Sequence, residues 1–278
     1  MASGKVPAVL ALAAGLAVGG ILRLAPVSAL FAGLSNGGVI TVAAMLVIAK
    51  GVVKTGVIAR ATLRLLATVT TAAQALRRLI VPVGVASALM NTTPLVAMLI
   101  PAARQLQQTR DVPAREVLLP VAHATTLAGS VTLIGTSSNL LIAGIASDDG
   151  VHVSMLSFAP VALPVCLAGW VLLLLAAPRL LRGETGGEPG LQPWRVEVPV
   201  APGATGTRLG LNPVTLLALV ATCISFTFIN PFSHQSNLMV MGPGAYSTRT
   251  FAKFGVPLVV VSLATVSVVT WALLNRGR

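Results

Sequence analysis

Charge is kept out of seven long apolar runs. Residues 6–22, 24–49, 79–103, 117–147, 150–178, 209–248 and 254–275 carry no Asp, Glu, Lys or Arg. The seven acids, Asp111, Glu116, Asp148, Asp149, Glu184, Glu188 and Glu197, all lie between them. A carboxylate or guanidinium at the centre of a bilayer costs roughly 2.5–3.5 kcal/mol or more. About 20 apolar residues span the hydrocarbon as a helix, and most of the runs are long enough. The pattern predicts an all-α, polytopic membrane protein. A soluble domain carries about 25% charged residues; this chain carries 9%, which excludes that class.

The net charge of +12 would point to nucleic acid in a soluble protein. Here Lys and Arg punctuate apolar runs, and no face combines aromatic and basic residues to stack bases. The expected partner is the lipid bilayer, not nucleic acid. The basic residues read as membrane-flanking and cytoplasmic by the positive-inside bias, which implies an inner or plasma membrane location. Residues 60–78, with Arg60, Arg64, Arg77 and Arg78, read as a short helix along the cytoplasmic face. Run 6–22 follows Lys5 and reads as a retained first span rather than a cleaved signal. Residues 183–208 gather Gly, Pro and acids into a polar loop, where the alternation at 194–198 allows one strand. Cys166 and Cys223 sit in apolar runs and give neither a disulfide framework nor metal spacing.

Two of the long runs share a motif. Residues 135–144 read GTSSNLLIAG and residues 233–242 read SHQSNLMVMG. Ser138-Asn139-Leu140 matches Ser236-Asn237-Leu238, and Gly144 matches Gly242. Upstream, SVTLI (130–134) resembles SFTFI (225–229). Gly, Ser, Thr and Asn at mid-membrane weaken a helix and free backbone groups that lipid cannot satisfy, so such a break must line a buried or water-filled cavity. Transporters place ligands at broken helices in repeated halves. Freed carbonyls with Asn, Ser and Thr oxygens suit a hard monovalent cation. Small and polar residues also glue helices together, and for either copy alone that reading is as good.

Run 79–103 has Asn91-Thr92-Thr93 at its centre, followed by Pro94, which suits the first turn of a new helix. Arg77-Arg78 flank one end and Arg104 the other, so both ends read as cytoplasmic. A re-entrant hairpin with Asn-Thr-Thr at its tip fits that charge. By itself, however, the run favours one straight span of 25 residues.

Together the segments SNGGVITVAAMLVIAKGVVKTG (35–56), SALMNTTPLVAMLIP (87–101), LIGTSSNLLIAG (133–144) and PFSHQSNLMVMGPGAY (231–246) resemble the divalent anion:sodium symporter family, among the citrate-transporter-like permeases. The resemblance covers about 28–178 and 211–274. It implies a partial inverted-repeat transporter fold, with broken transmembrane helices and a re-entrant hairpin. It also implies a sodium-coupled symporter, working as a homodimer, for a small anion such as sulfate or a di- or tricarboxylate. Asn91 and Thr92 match the first hairpin tip, with Met90 where the family has Ser. Gly135, Thr136 and Asn139 match the first broken helix. Ser236, Asn237 and Gly242 match the second, with His234 at its break. Thr93 and Ser138 beside these motifs complete the expected binding residues. Sodium is expected at Asn91, Gly135 and Asn139, as a coupling ion; no other cofactor is expected.

The resemblance also implies three regions: an N-terminal transmembrane repeat (1–182), a linker (183–210) similar to the opening of a TrkA-C-like domain, and a C-terminal unit (211–278). A second hairpin should precede 211 and is not found, so the chain reads as an internally shortened member. Either it still transports, or it is a non-transporting membrane remnant. Charge conflicts here: Arg179 and Arg208 place the start of 209–248 inside, while Arg249 and Lys253 place its end inside as well. That run is therefore expected to be re-entrant or dually oriented. An enzyme is not expected, because no carboxylate lies in the apolar runs. His123 reads as a packing or cavity-lining residue and His152 as interfacial.

Overall fold

The structure is a computed structural model that describes residues 8–24, 26, 37–181 and 212–276. These residues form helices: α1 Ala8–Ile21, α2 Gly37–Thr55, α3 Val57–Leu66, α4 Ala72–Leu89, α5 Thr92–Arg110, α6 Ala114–Gly129, α7 Ser137–Asp148, α8 Ala159–Leu180, α9 Pro213–Ile224, α10 Gln235–Met241 and α11 Thr248–Arg276. The expected all-helical class holds, and there is no strand among the described residues. The linker 183–210 and the strand at 194–198 lie outside them. Helices Ala72–Leu89, Ala159–Leu180 and Thr248–Asn275 are long and apolar enough to cross a membrane.

Helix α6 is the centre. Every residue from Val117 to Gly129 is buried, as a helix apolar around its whole girth requires. Helices α4, α5, α8 and α10 pack around it. The buried stripe of α4, including Ala72, Leu76, Leu79, Ile80, Val83 and Ser87, recurs every three to four residues and forms its packing face.

Two expectations change at the start of this unit. Residues 60–78 are not one helix: α3 ends at Leu66 and α4 begins at Ala72. The Thr71 hydroxyl accepts from the Gln74 N–H at 3.3 Å, and Gln74 Oε1 accepts from the Thr70 N–H at 3.0 Å. This Thr-x-x-Gln pattern is a helix start, so Arg77 and Arg78 belong to α4. Nor is 79–103 a straight span. The Arg78 guanidinium donates to the Leu65 carbonyl and the Thr68 hydroxyl, and Arg110 donates to the Ala67 carbonyl at 2.8 Å. One turn thus holds the first helix's start and the second helix's end, so the chain folds back into a helical hairpin. Met90 is extended at its tip, and Asn91 caps α5 by accepting from the Thr93 N–H at 3.0 Å.

Both Ser-Asn-Leu segments are broken helices, α6–α7 and α9–α10. The second runs from one end of the helix bundle to the other. Ala218 and Ala221 pack with Phe158 and Val161 at the start of α8, near Val269 and Leu273 at the end of α11. At its other end, the Tyr246 hydroxyl accepts from the Leu119 N–H at 2.9 Å and donates to the Arg115 carbonyl. Residues 213–246 therefore run antiparallel to 114–148, and Arg249 and Lys253 lie at the same end of the bundle as Arg115. Equal charge at both ends gave no preference; packing decides it.

Tyr246 inserts its hydroxyl between a carbonyl and the N–H four residues on, one position before Pro120, which itself brings no N–H. Tyr246→Phe strands both α6 groups. It is expected to destabilise the fold by about 1–3 kcal/mol, measured as a lower melting temperature in detergent.

Candidate functional site

The two breaks are built alike. A helix that stops at Gly129 leaves carbonyls without N–H partners, and inside a membrane these must be paired by protein. Asn139, third residue of α7 and 0% exposed, donates through Nδ2 to the Ser130 and Thr132 carbonyls at 3.1 and 2.8 Å. Asn237, third residue of α10 and 1% exposed, donates through Nδ2 to the Thr227 and Asn230 carbonyls at 2.6 and 3.4 Å. A side-chain amide carries two N–H donors, and each asparagine spends them on closing its own break. Both Oδ1 atoms are buried and unpartnered. The duplication read in the sequence thus extends to hydrogen bonding.

The hairpin tip docks on the first break. The Ser87 hydroxyl donates to the Thr125 carbonyl at 2.8 Å. Its hydrogen being used, Thr92 must be the donor in its own contacts, with Ser87 Oγ at 3.0 Å and the Gly135 carbonyl at 3.3 Å. The Thr132 hydroxyl donates to the Ala88 carbonyl and accepts from the Gly135 N–H at 3.1 Å. Gly129 and Gly135 meet backbone to backbone. A Cβ on Gly135 would sit 2.4 Å from the Gly129 carbonyl oxygen, and one on Gly129 would sit 2.7 Å from Thr92 Oγ1. Only glycine allows this approach. The second break is met as closely: a Cβ on Gly255 of α11 would lie 2.4 Å from the Phe228 carbonyl oxygen.

A cavity of about 110 Å³ lies between the breaks, lined by Thr92, Thr126, Thr136 and Ser138 on one side and Ile224, Ser225, Thr227, Ser233 and His234 on the other. Among the described residues, no Asp, Glu, Lys or Arg lines it. Its hydroxyls divide by where their hydrogens go. Thr126 donates to the Ala122 carbonyl, Ser225 to the Ala221 carbonyl and Ser233 to the Asn230 and Thr227 carbonyls. With Thr92, these keep only lone pairs for a ligand. Thr136 leaves its side chain uncommitted at the cap of α7, and Ser138 makes no side-chain hydrogen bond; both can donate. The site therefore offers acceptors on some positions and free donors on others, with no formal charge.

Of the residues expected from sequence, Thr92, Thr136, Ser138 and His234 line the cavity. Asn139, Asn237 and Gly135 shape it. Ser236 is fully buried and bonded to the His234 ring. Asn91 caps α5, and Thr93 donates to Gln235 Oε1 at 3.3 Å, joining hairpin to second break. Gly242 ends α10 in the open, with nothing within 4 Å of an added Cβ; the structure does not bring it to the cavity. Sequence reasoning missed Ser87, Thr126, Thr132, Ser225, Thr227 and Ser233. His123 is outside the cavity, packed against Phe228, Phe254 and Phe251 at ring-centroid distances of 5.1, 5.7 and 6.2 Å.

The profile of a family described as citrate transporter matches residues 2–202. An uncharacterized transporter of Synechocystis is 37% identical over 100 residues, 36% of this chain and 16% of the relative. Sodium/sulfate cotransporter 1 of Chlamydomonas reinhardtii is 36% identical over 119 residues, 40% of this chain and 14% of the relative. The P protein of Mus musculus is 34% identical over 99 residues, 34% of this chain and 12% of the relative. The chain thus spans only about a seventh of the length of these relatives. No solved structure matches it.

Proposed function

Since the chain belongs to the citrate transporter family, we propose that this multi-pass membrane protein is a secondary transporter that binds a small anion together with sodium. The observation that carries the reading is the uncharged cavity. An isolated anion buried there would lack any cationic side chain, and burying an unpaired charge is heavily penalised. A sodium ion held by hydroxyl lone pairs and freed carbonyls, alongside an anion held by the free donors, removes that penalty. Binding of either ion then favours the other, which is the thermodynamic basis of coupling. Transporters coordinate sodium with unwound backbone carbonyls, and Gly135 and Asn139 stand at such a place.

Sulfate is the anion in the name of the Chlamydomonas cotransporter, and we take it as the substrate; a homodimer with its basic face in the cytoplasm completes the proposal. One observation favours a second reading, a membrane assembly that binds without transporting: among the described residues, α9–α10 has no hairpin corresponding to α4–α5. Radiolabelled sulfate uptake into proteoliposomes separates the two. Sodium-stimulated uptake above empty liposomes is expected. Sodium-dependent binding with uptake equal to empty liposomes would leave the non-transporting reading, and absence of both would end the proposal.

A further inference from the structure

The His234 ring is held by one neighbour. The Ser236 backbone N–H lies 3.2 Å from Nδ1, and the Ser236 hydroxyl lies 2.5 Å from the same atom. A backbone N–H only donates, so Nδ1 presents its lone pair to it. In a neutral imidazole one nitrogen then carries the proton and the other accepts, which puts the proton on Nε2. Nε2 makes no hydrogen bond within the chain, and it is not among the buried unpartnered atoms. The ring lines the cavity between the breaks. Ser236 itself is fully buried, so the arrangement is fixed from behind and free in front.

We infer that His234 is the anion-binding donor of the second half-site: Ser236 locks its Nε2–H tautomer, and Nε2–H donates to an oxyanion held between the two breaks. This rests on the proposed function and assigns one atom of the site. The anion it suits presents an acceptor oxygen at that position, as sulfate does.

Two variants separate donor from cap. His234→Asn keeps a side-chain oxygen near the Nδ1 position, able to cap α10 through the Ser236 N–H, and has no atom where Nε2 was. His234→Gln carries an amide N–H further out. In the purified full chain in sodium-containing nanodiscs, the sulfate Kd is expected to rise about tenfold or more in His234→Asn, as loss of one hydrogen bond to a charged group implies. A smaller rise is expected in His234→Gln. Melting temperature without sulfate is expected to be unchanged in His234→Asn.

Nitrogen-15 NMR of the three histidines, assigned by the His234→Asn spectrum, is expected to show His234 protonated at Nε2, with that resonance moving when sulfate is added. Sulfate affinity equal in wild type and His234→Asn, or a proton on Nδ1, would overturn the assignment while leaving the proposed function standing. Absence of sodium-dependent sulfate binding in the wild type would overturn the function and this role with it.

Discussion

Alanine at Asn139 is expected to reduce sodium-dependent sulfate uptake to below about a tenth of wild type, and alanine at Asn237 to do the same. Each substitution removes two hydrogen bonds and strands two carbonyls: Ser130 and Thr132 in one case, Thr227 and Asn230 in the other. Stranding a buried polar group costs about 1–3 kcal/mol, and no lipid atom replaces the lost donor. Melting temperatures measured in detergent should fall by similar amounts in the two variants, because the two asparagines do the same work. Asn139→Asp is the sharper probe. It keeps shape but replaces the one nitrogen that donates both hydrogen bonds with an oxygen facing two carbonyls, so it should be at least as damaging as alanine. Wild-type uptake in Asn139→Asp would mean that the amide does not hold the break.

The second large effect is expected at Gly135. Gly135→Ala drives a Cβ to 2.4 Å from the Gly129 carbonyl oxygen and 2.6 Å from its Cα. Both are backbone atoms and cannot swing away as a side-chain tip would. Overpacking a tight core costs about 1–3 kcal/mol and sometimes more, and here the displaced backbone also carries the carbonyl bonded by Thr92. Loss of uptake with a clearly lower melting temperature is expected. Gly51→Ala is the control. An added Cβ there meets nothing within 4 Å, and alanine is the better helix former by about 1 kcal/mol, so stability should hold or rise.

What the sequence disclosed follows from which signals are local. The two Ser-Asn-Leu segments were readable as breaks because the same polar motif recurs in the middle of two apolar runs, which helix packing alone gives no reason to repeat. Their equivalence was readable too, since both asparagines sit third in their helices. The hairpin was harder. A continuous apolar run of 25 residues says nothing about folding back, and the deciding contacts are Arg78 and Arg110 on one turn. The Thr71 and Gln74 cap was available in the sequence and would have moved the start of α4 seven residues earlier than the apolar run suggested.

Orientation of the second broken helix was not readable at all. Both its ends are followed or preceded by arginine, so charge is silent, and the answer comes from Tyr246, whose partners lie more than a hundred residues away. The cavity shows the same limit. Ser225, Thr227 and Ser233 look like ordinary small polar residues until the fold sets them opposite Thr92 and Thr136. Which hydroxyls still have a hydrogen to give depends on backbone carbonyls one turn away.

The most direct test is equilibrium binding of radioactive sodium to the purified chain, in wild type and in Asn139→Ala. Saturable binding in wild type, competed by unlabelled sodium but not by choline and lost in the variant, is the expected result. Failure of the wild type to bind sodium saturably, or equal binding in the variant, would contradict the assignment of the clamped breaks as an ion site.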